Sequence, residues 1–276
     1  MANFFDFNNN FGPVEEESEL IPLMTSDDEE AILKESLPES VPILPLRNAV
    51  LFPGVVIPIS ATRDKSVKLI KNANSNNKLI GVVSQKDSNV SDPTINDVNK
   101  IGTVAKILRV LQMPDGNLTI IIQGKKRFSI DKLISETPFI TSSINELKEI
   151  SPKKDNKTFQ ATIDSIKDLA LKIIDENPNI PTEASFAIKN IHSNSFLVNF
   201  VSSNMNISVE EKFKILCIDD LQKRALRCLK FMDVEFQKLS LKNDIQSKVR
   251  NDLDQQQREY FLNQQLKTIQ EELGGS

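Results

Sequence analysis

Apolar residues after position 40 come in short runs that proline and glycine interrupt. The stretch PILPLRNAVLFPGVVIPI, residues 42–59, is almost wholly apolar, has no helical period and contains four prolines. It is too interrupted to cross a membrane, because a spanning helix needs about 20 continuous apolar residues. Its two ends, PILPL and GVVIPI, have the composition of short β-strands. Since proline cannot donate to a central β-ladder, we expect this segment at the edge of a sheet.

Further β-rich runs follow up to residue 150, with one helical pattern among them at residues 62–73. The sequence PDGN at 114–117 separates two of the runs and predicts a tight hairpin, because glycine supplies the positive φ that such a turn requires. The run LTIII at 118–122 is apolar on both faces. A strand of that kind indicates a closed or sandwiched sheet, not one with a wet face.

The period changes after a polar linker at residues 151–157. Apolar residues then recur every three or four positions, which is one face of a helix; they are Phe159, Ile163, Ile166, Ala170 and Ile173. The later sequence SVEE predicts a capping box, in which Ser208 accepts from the Glu211 amide and the Glu211 side chain returns the bond. Asp219 is predicted to start the next helix in the same way. Residues 151–218 therefore predict a small all-helical domain.

A very long helix is predicted from Leu221 onward, because no proline or glycine appears again before Gly274. That interval allows about 50 helical residues, or roughly 75 Å. The apolar stripe along its later part is thin, and it consists of Leu241, Ile245, Val249, Leu253 and Tyr260. Such a helix cannot be buried within its own domain. It must project, pair with a partner helix, or bridge to another domain.

Charge is distributed unevenly along the 276 residues. Residues 1–40 hold eleven Asp and Glu side chains against Lys34 alone, so they carry −10 and the remainder carries +6 of the overall −4. An acidic segment without periodicity is typical of a solvated, disordered arm. The alternative is a docking arm that uses four phenylalanines, which are Phe4, Phe5, Phe7 and Phe11. The charge of the body falls short of a nucleic-acid footprint, so DNA is an alternative partner that charge does not favour.

The sequence lacks the residue patterns of common enzyme chemistry. It has no phosphate-binding G-x-x-x-x-G-K-[ST] motif, so we expect no ATP or Mg site in this chain. His192 is the only histidine, and with two cysteines, Cys217 and Cys228, it does not make up a zinc ligand set. The basic run GKKRF at 124–128 is interpreted as the wet face of a hairpin in preference to a phosphate site. We predict no catalytic, cofactor or metal residue, and without a signal peptide or spanning segment we expect a cytoplasmic protein with no membrane contact.

Two stretches resemble the family of Lon, the ATP-dependent protease. Residues 42–59, PILPLRNAVLFPGVVIPI, are similar to the opening strand segment of the Lon amino-terminal domain. Residues 246–274, QSKVRNDLDQQQREYFLNQQLKTIQEELG, are similar to the long helix that leads toward the Lon ATPase module. The resemblance covers residues 41–276 and implies an α+β fold with a β-rich PUA-like pseudo-barrel at 41–150, a helical bundle at 151–218 and the long helix at 219–276. The acidic arm at 1–40, which has no motif of the family, precedes these parts.

For the whole protein, the resemblance implies a hexameric, cytosolic protease that unfolds proteins with ATP and Mg and cuts them with a Ser-Lys dyad. No residue here matches the Walker motifs or the dyad, and an end at ELGGS favours a fragment of a longer protein. Recognition of unfolded or damaged proteins, and assembly, are then the expected roles of this part. Two alternatives stay open: a stand-alone adaptor with a helical stalk, and an RNA- or DNA-binding protein of PUA-like fold, whose affinity would fall steeply with salt.

Candidate contact residues for substrate proteins lie near predicted turns, where apolar side chains can stay exposed. They are Leu46, Phe52, Pro53 and Met113. Core packing is the competing interpretation for each of them. Candidates for pairing the long helix with a partner helix are Leu253, Tyr260 and Leu266.

Overall fold

The computed structural model describes Ile32 and residues 35–113, 118–153 and 155–274. Within these ranges the first half of the chain is mainly β-structure. Its elements are β1 (Ser40–Leu46), β2 (Val56–Ala61), α1 (Asp64–Ser75), β3 (Leu79–Ser84), β4 (Ile101–Gln112), β5 (Leu118–Ser135) and β6 (Thr141–Glu146). The predicted PDGN turn lies outside the described residues. The strands on either side of it pair antiparallel, with Gln112 opposite Leu118.

The sheet closes on itself because β5 is 18 residues long and changes partner along its length. The strand order is β2-β5-β4-β3-β1-β6, and β6 pairs back onto β5. The first part of β5 pairs with β2, and the part from Phe128 onward pairs with β6. Strands β5, β4, β3, β1 and β6 therefore form a ring, which confirms the pseudo-barrel of the predicted α+β fold. Leu118, Ile120 and Ile122, from the two-sided run, lie in its core at 4% exposure or less.

The expectation that residues 42–59 lie at a sheet edge is confirmed for β2, which among the described strands pairs with β5 alone, but it was wrong for β1. β1 lies between β3 and β6, so it is internal to the ring. Its two halves, however, pair on opposite sides: residues 40–42 pair with β6 and residues 43–46 pair with β3. Pro42 and Pro45 thus each have a neighbouring strand on one side only. This staggered pairing is how an internal strand tolerates two residues that lack an amide hydrogen.

The second half of the described chain is helical. The helices are α2 (Lys157–Glu176), α3 (Glu183–Asn190), α4 (Asn194–Asn204), α5 (Val209–Leu216) and α6 (Leu221–Leu273). The predicted apolar face of α2 is confirmed, because all five of its residues are at most 6% exposed. They pack with α4, α5 and the start of α6 in one helical core.

The caps of the last two helices explain where they begin. Ser208 accepts from the Glu211 amide at 3.2 Å, as predicted, but the Glu211 carboxylate accepts from Lys214 and Arg227 in place of returning the bond. These bonds, the Arg227 bond first, lower the pKa of Glu211. The prediction for the start of α6 was wrong by one residue: the cap is Asp220, which accepts from the Lys223 amide at 3.0 Å. Asp219 is not available as a cap because it pairs with an arginine of the barrel, as described below.

The long helix is confirmed, and it leaves the body of the protein. With 53 residues it extends about 80 Å. Its first turns are buried, and its last polar contact with the bundle in the described residues is from Asn243 Nδ2 to the Glu176 carbonyl oxygen, 3.0 Å. Every described residue from Asp244 to Gly274 is exposed. No helix in the described ranges has the length and apolar content that crossing a membrane takes.

Candidate substrate-contact surface

The loop between β1 and β2 joins the barrel to the helices. Adjacent residues of the loop enter different cores: Leu51 packs in the barrel at 2% exposure, and Phe52 packs among the helices at 0%. Adjacent side chains of an extended segment point to opposite sides. The loop therefore crosses the boundary between the two cores and contributes an anchor to each.

Hydrogen bonds hold this loop on both sides. Thr103 Oγ1 donates to the Leu51 carbonyl oxygen at 2.6 Å, and Asn199 Nδ2 donates to the Pro53 carbonyl oxygen at 3.3 Å. Gly124 allows the close approach of β5, because a Cβ there would stand 2.3 Å from the Phe52 carbonyl oxygen. The loop is thus a fixed structural element.

For two of the four candidate contact residues, Leu46 and Phe52, the prediction of exposure was wrong. Leu46 is 5% exposed in the barrel core and Phe52 is 0% exposed in the helical core, so the exposure on which their assignment rested is absent. Both were placed near turns, but each turn packs against another part of the chain. Pro53 is half-buried, and Met113 is 44% exposed. Pro53 and Met113 stay predictions.

Arg127 of β5 links the barrel to the segment between α5 and α6. Its Nη1 donates to the Leu216 carbonyl oxygen and lies 2.9 Å from the Asp219 carboxylate. Arg127 is 3% exposed and its neighbour Phe128 is 0% exposed. The interpretation of residues 124–128 as a wet face was therefore wrong, because Arg127 lies against the helices and Phe128 packs inside the barrel.

Arg224 of α6 is the centre of a second polar link. It is 0% exposed, and its Nη1 donates to Glu149 at 2.7 Å and to Asn199 at 3.2 Å. Ser195 Oγ also donates to Glu149, at 2.9 Å. Burial lowers the pKa of Arg224, and the Glu149 charge opposes that shift. Sequence reasoning missed Arg224, although its spacing of three from Leu221 placed it on the buried face of α6.

The residues weighed for enzyme chemistry occupy ordinary structural positions. His192 lies exposed between α3 and α4. Cys228 is fully buried in the helical core, and burial raises the pKa of its thiol to about 12, which keeps it protonated at neutral pH. Within the described ranges, no three His, Cys, Asp and Glu side chains lie close enough to hold a metal ion.

The outer half of β4 is an open strand edge with apolar side chains. Pairing of β4 with β3 ends at Lys106, while pairing with β5 continues to Gln112. From Arg109 to Gln112, β4 therefore has a described strand neighbour on one side only, and Leu108 lies at an irregularity in the pairing of β4 with β5. Leu108, Leu111 and the adjacent Met113 are 43%, 41% and 44% exposed. Natural sheets usually protect such edges, so an apolar open edge is typical of a binding surface.

Leu108 and Leu111 were not among the candidates from the sequence. The run KILRVLQM has apolar residues on both of its faces, so its alternation alone does not show which of them stay exposed. The available signal was the leucine-rich composition next to the predicted hairpin. How far the edge of β4 is covered depends on where β3 begins, and β3 lies more than twenty residues earlier in the chain.

The three candidates for pairing α6 with a partner helix fall on two different faces. Leu253 and Tyr260, which are 53% and 66% exposed, are seven residues apart and share one face. Leu266, 55% exposed, is six residues beyond Tyr260, which places it about 120° away around an ideal helix. It shares its face with Leu262, Ile269 and Leu273 instead, at spacings of four, three and four. That second series has the spacing of a coiled-coil seam.

A closed barrel with an open apolar edge, fixed to a helical bundle and a projecting helix, is the architecture of a binding module. The family model described as "ATP-dependent protease La (LON) substrate-binding domain" matches residues 40–234. The chain belongs to this family.

Relatives agree with that assignment, and a solved structure has the same fold. The Lon protease of Flavobacterium johnsoniae is 66% identical over 259 residues, which cover 94% of this chain and 32% of that protein. The Lon protease of Cytophaga hutchinsonii is 47% identical over 256 residues, covering 93% of this chain and 32% of that protein. The chain thus spans about a third of the length of these relatives. The N-terminal domain of the Mycobacterium avium complex Lon protease has the same fold, with a TM-score of 0.58 at 19% identity, covering 70% of this chain and 98% of that one.

Proposed function

We propose that this chain is the substrate-recognition and assembly region of a longer ATP-dependent protease that acts in the cytoplasm. The observation that carries the proposal is the open apolar edge of β4 on a member of the Lon substrate-binding domain family. The remaining two thirds of such a protein would supply the ATPase, with its ATP and Mg, and the Ser-Lys peptidase. Its substrates would be unfolded or damaged proteins.

Recognition would proceed by strand addition. An extended segment of a substrate can pair its backbone with the free side of β4, between Arg109 and Gln112. Its apolar side chains would then contact Leu108, Leu111 and Met113. Main-chain pairing does not depend on side-chain identity, so this surface would accept many sequences. Folded proteins would be excluded, because their strand edges and apolar residues are already covered.

Assembly would make these weak contacts effective. A single edge of three part-exposed side chains offers little apolar area, so one copy alone would bind weakly. Several copies held in a ring, as in a hexamer, would raise the effective concentration of the later contacts once the first is made. The exposed faces of α6 would pair with partner helices and hold the recognition domains at a fixed distance from the ATPase.

A matched pair of substitutions tests the recognition surface. Leu111→Glu places a charge on the open edge of β4, and Leu133→Glu places the same charge on β5. The two leucines are similarly exposed, 41% and 42%, but Leu133 lies fourteen residues along β5 from Thr119, the residue that pairs with Leu111. We expect Leu111→Glu to weaken binding of a reduced, alkylated and permanently unfolded protein about tenfold, the cost of about 1.4 kcal/mol, and Leu133→Glu to leave it unchanged. Equal affinities for the two variants would contradict the assignment of β4.

The same assay separates the nucleic-acid alternative. Polyanion binding to lysine and arginine side chains falls by orders of magnitude when salt rises from about 50 to about 200 mM. Capture through an apolar strand edge should tolerate this change. If the chain binds single- or double-stranded DNA more tightly than the unfolded protein and loses both with salt, the substrate-recognition proposal fails.

A further inference from the structure

A groove of about 660 Å³ lies where the barrel meets the helical bundle. Its floor is apolar and includes Pro53, Phe159, Phe196 and Leu221. This groove is separate from the open edge of β4, because Leu108, Leu111 and Met113 do not line it. Binding at this groove is therefore independent of the proposed function.

The groove is strongly basic. Five of its lining residues are cationic, which are Lys125, Lys126, Arg127, Lys148 and Lys153. Glu146 pairs with Lys126, Asp219 pairs with Arg127, and Glu149 pairs with Arg224, so among the described residues Lys148 and Lys153 are the lining cations without a carboxylate partner. Among the described residues, one guanidinium nitrogen of the buried Arg127, Nη2, has no hydrogen-bond partner. The groove thus retains uncompensated positive charge above an apolar floor.

The chain itself places one apolar and one acidic residue there. Ile32 lines the groove and is 7% exposed. Glu35 lies 3.4 Å from the Lys125 ammonium nitrogen. Together they show the two kinds of side chain that the groove accepts, an aliphatic group against the floor and a carboxylate against the lysines.

The sequence that leads to Ile32 has the complementary charge. Residues 1–31 contain nine acidic residues and no basic residue. Four of the acids are consecutive, Asp27 to Glu30, and end two positions before Ile32. Because a chain spans at most about 3.6 Å per residue, all four carboxylates are held within about 18 Å of the Ile32 anchor. They cannot move far from the groove while Ile32 is seated.

We propose that the groove is the docking site for the acidic amino-terminal arm of the same chain, with Ile32 as its anchor and the carboxylates of Asp27 to Glu30 against the lysines. The arm would neutralise the groove and keep other acidic segments out of it. Because the contact is largely ionic and exposed at its rim, salt should release it. Lys148 and Lys153, which are exposed at the rim, would be the first to lose their partners.

Zero-length crosslinking of the full chain tests the proposal. A carbodiimide joins a lysine to a carboxylate only when the two are in contact, and mass spectrometry maps the joined residues. We expect crosslinks from Asp27 to Glu30 onto Lys126, Lys148 or Lys153, within one chain when labelled and unlabelled chains are mixed. We expect none onto Lys71 of α1 or Lys230 of α6, which are exposed like Lys148 and Lys153 but lie outside the groove. Crosslinks that run only between chains, or that reach Lys71 and Lys230 as often, would overturn the proposal.

Two neutralised variants supply a second readout. One replaces Asp27 to Glu30 by the corresponding amides, and its control replaces Glu15, Glu16, Glu17 and Glu19 by glutamine, which removes the same number of charges. We expect the first variant to acetylate faster at Lys148 and Lys153 than the parent chain, and the control to match the parent. In about 1 M salt, where the screening length is about 3 Å, all three should react alike. Equal rates for the two variants at low salt would refute docking by residues 27–30.

Discussion

Replacement of Phe52 by alanine tests the conclusion that the loop between β1 and β2 belongs to the core. Phe52 is 0% exposed and packs in the helical core, although it lies in the chain next to barrel residues. Truncation removes a whole buried ring and leaves a cavity between two elements that hydrogen bonds hold in place. Losses of this kind cost about 3–5 kcal/mol. Because the surrounding loop is fixed by Thr103 and Asn199, little collapse is expected, and we predict a value in the upper half of that range.

Urea unfolding of the full chain measures this change, with Phe186→Ala as the matched control. Phe186 is 71% exposed on α3, so its truncation should alter the free energy of unfolding by no more than about 0.5 kcal/mol. The two variants lose the same atoms and differ only in burial. Folded Phe52→Ala protein should also bind an unfolded protein as well as the parent chain does.

A loss of less than about 1 kcal/mol at Phe52 would contradict the packing described here. So would a stable Phe52→Ala variant that no longer binds the unfolded protein. That second result would show that Phe52 is a contact residue after all.

Three further predictions concern charge and assembly. Glu149→Ala should lower the free energy of unfolding by about 3 kcal/mol in thermal or urea unfolding, because the fully buried Arg224 then lacks the carboxylate with which it pairs. A variant as stable as the parent chain would show that the ion pair is dispensable. Burial lowers the pKa of Lys212 from 10.5 to about 8, so between these pH values the unfolded chain binds more protons than the folded chain. The free energy of unfolding should therefore rise with pH across that window, by at most about 3 kcal/mol relative to Lys212→Met, and a parallel pH profile for the two proteins would contradict this. Leu266→Asp should weaken self-association in sedimentation experiments more than Leu253→Asp, because Leu266 lies on the face with coiled-coil spacing; unchanged assembly in both variants would remove α6 from the interface.

Local periodicity predicted much of the fold. The three- and four-residue spacing of Phe159 to Ile173 defines one buried face of α2, and the two-sided run at 118–122 indicates a closed sheet. Both features depend only on neighbouring residues. The internal position of β1 was not predictable in this way, because it arises from pairing with β3 on one side and with β6, a hundred residues later, on the other.

The candidate site was less accessible to sequence reasoning. Phe52 looked like an exposed turn residue because the helices that cover it lie more than a hundred positions downstream. Arg127 looked like part of a wet basic run because its partners, Leu216 and Asp219, lie about ninety positions away. Met113 was assigned from its place beside a hairpin, a local feature, and it is exposed. Turn positions therefore predicted exposure only where no distant element returns to cover them.

Site-specific photocrosslinking to an unfolded protein tests the central claim most directly. A photoreactive residue is placed at Met113, which is 44% exposed beside the open edge of β4, and in a second protein at Leu133, which is 42% exposed elsewhere on β5. We predict that the Met113 probe captures a reduced, alkylated substrate and that the Leu133 probe does not, with the yield at Met113 lost when Leu111→Glu is added. Equal capture at both positions, or capture at Leu133 alone, would contradict recognition through the edge of β4.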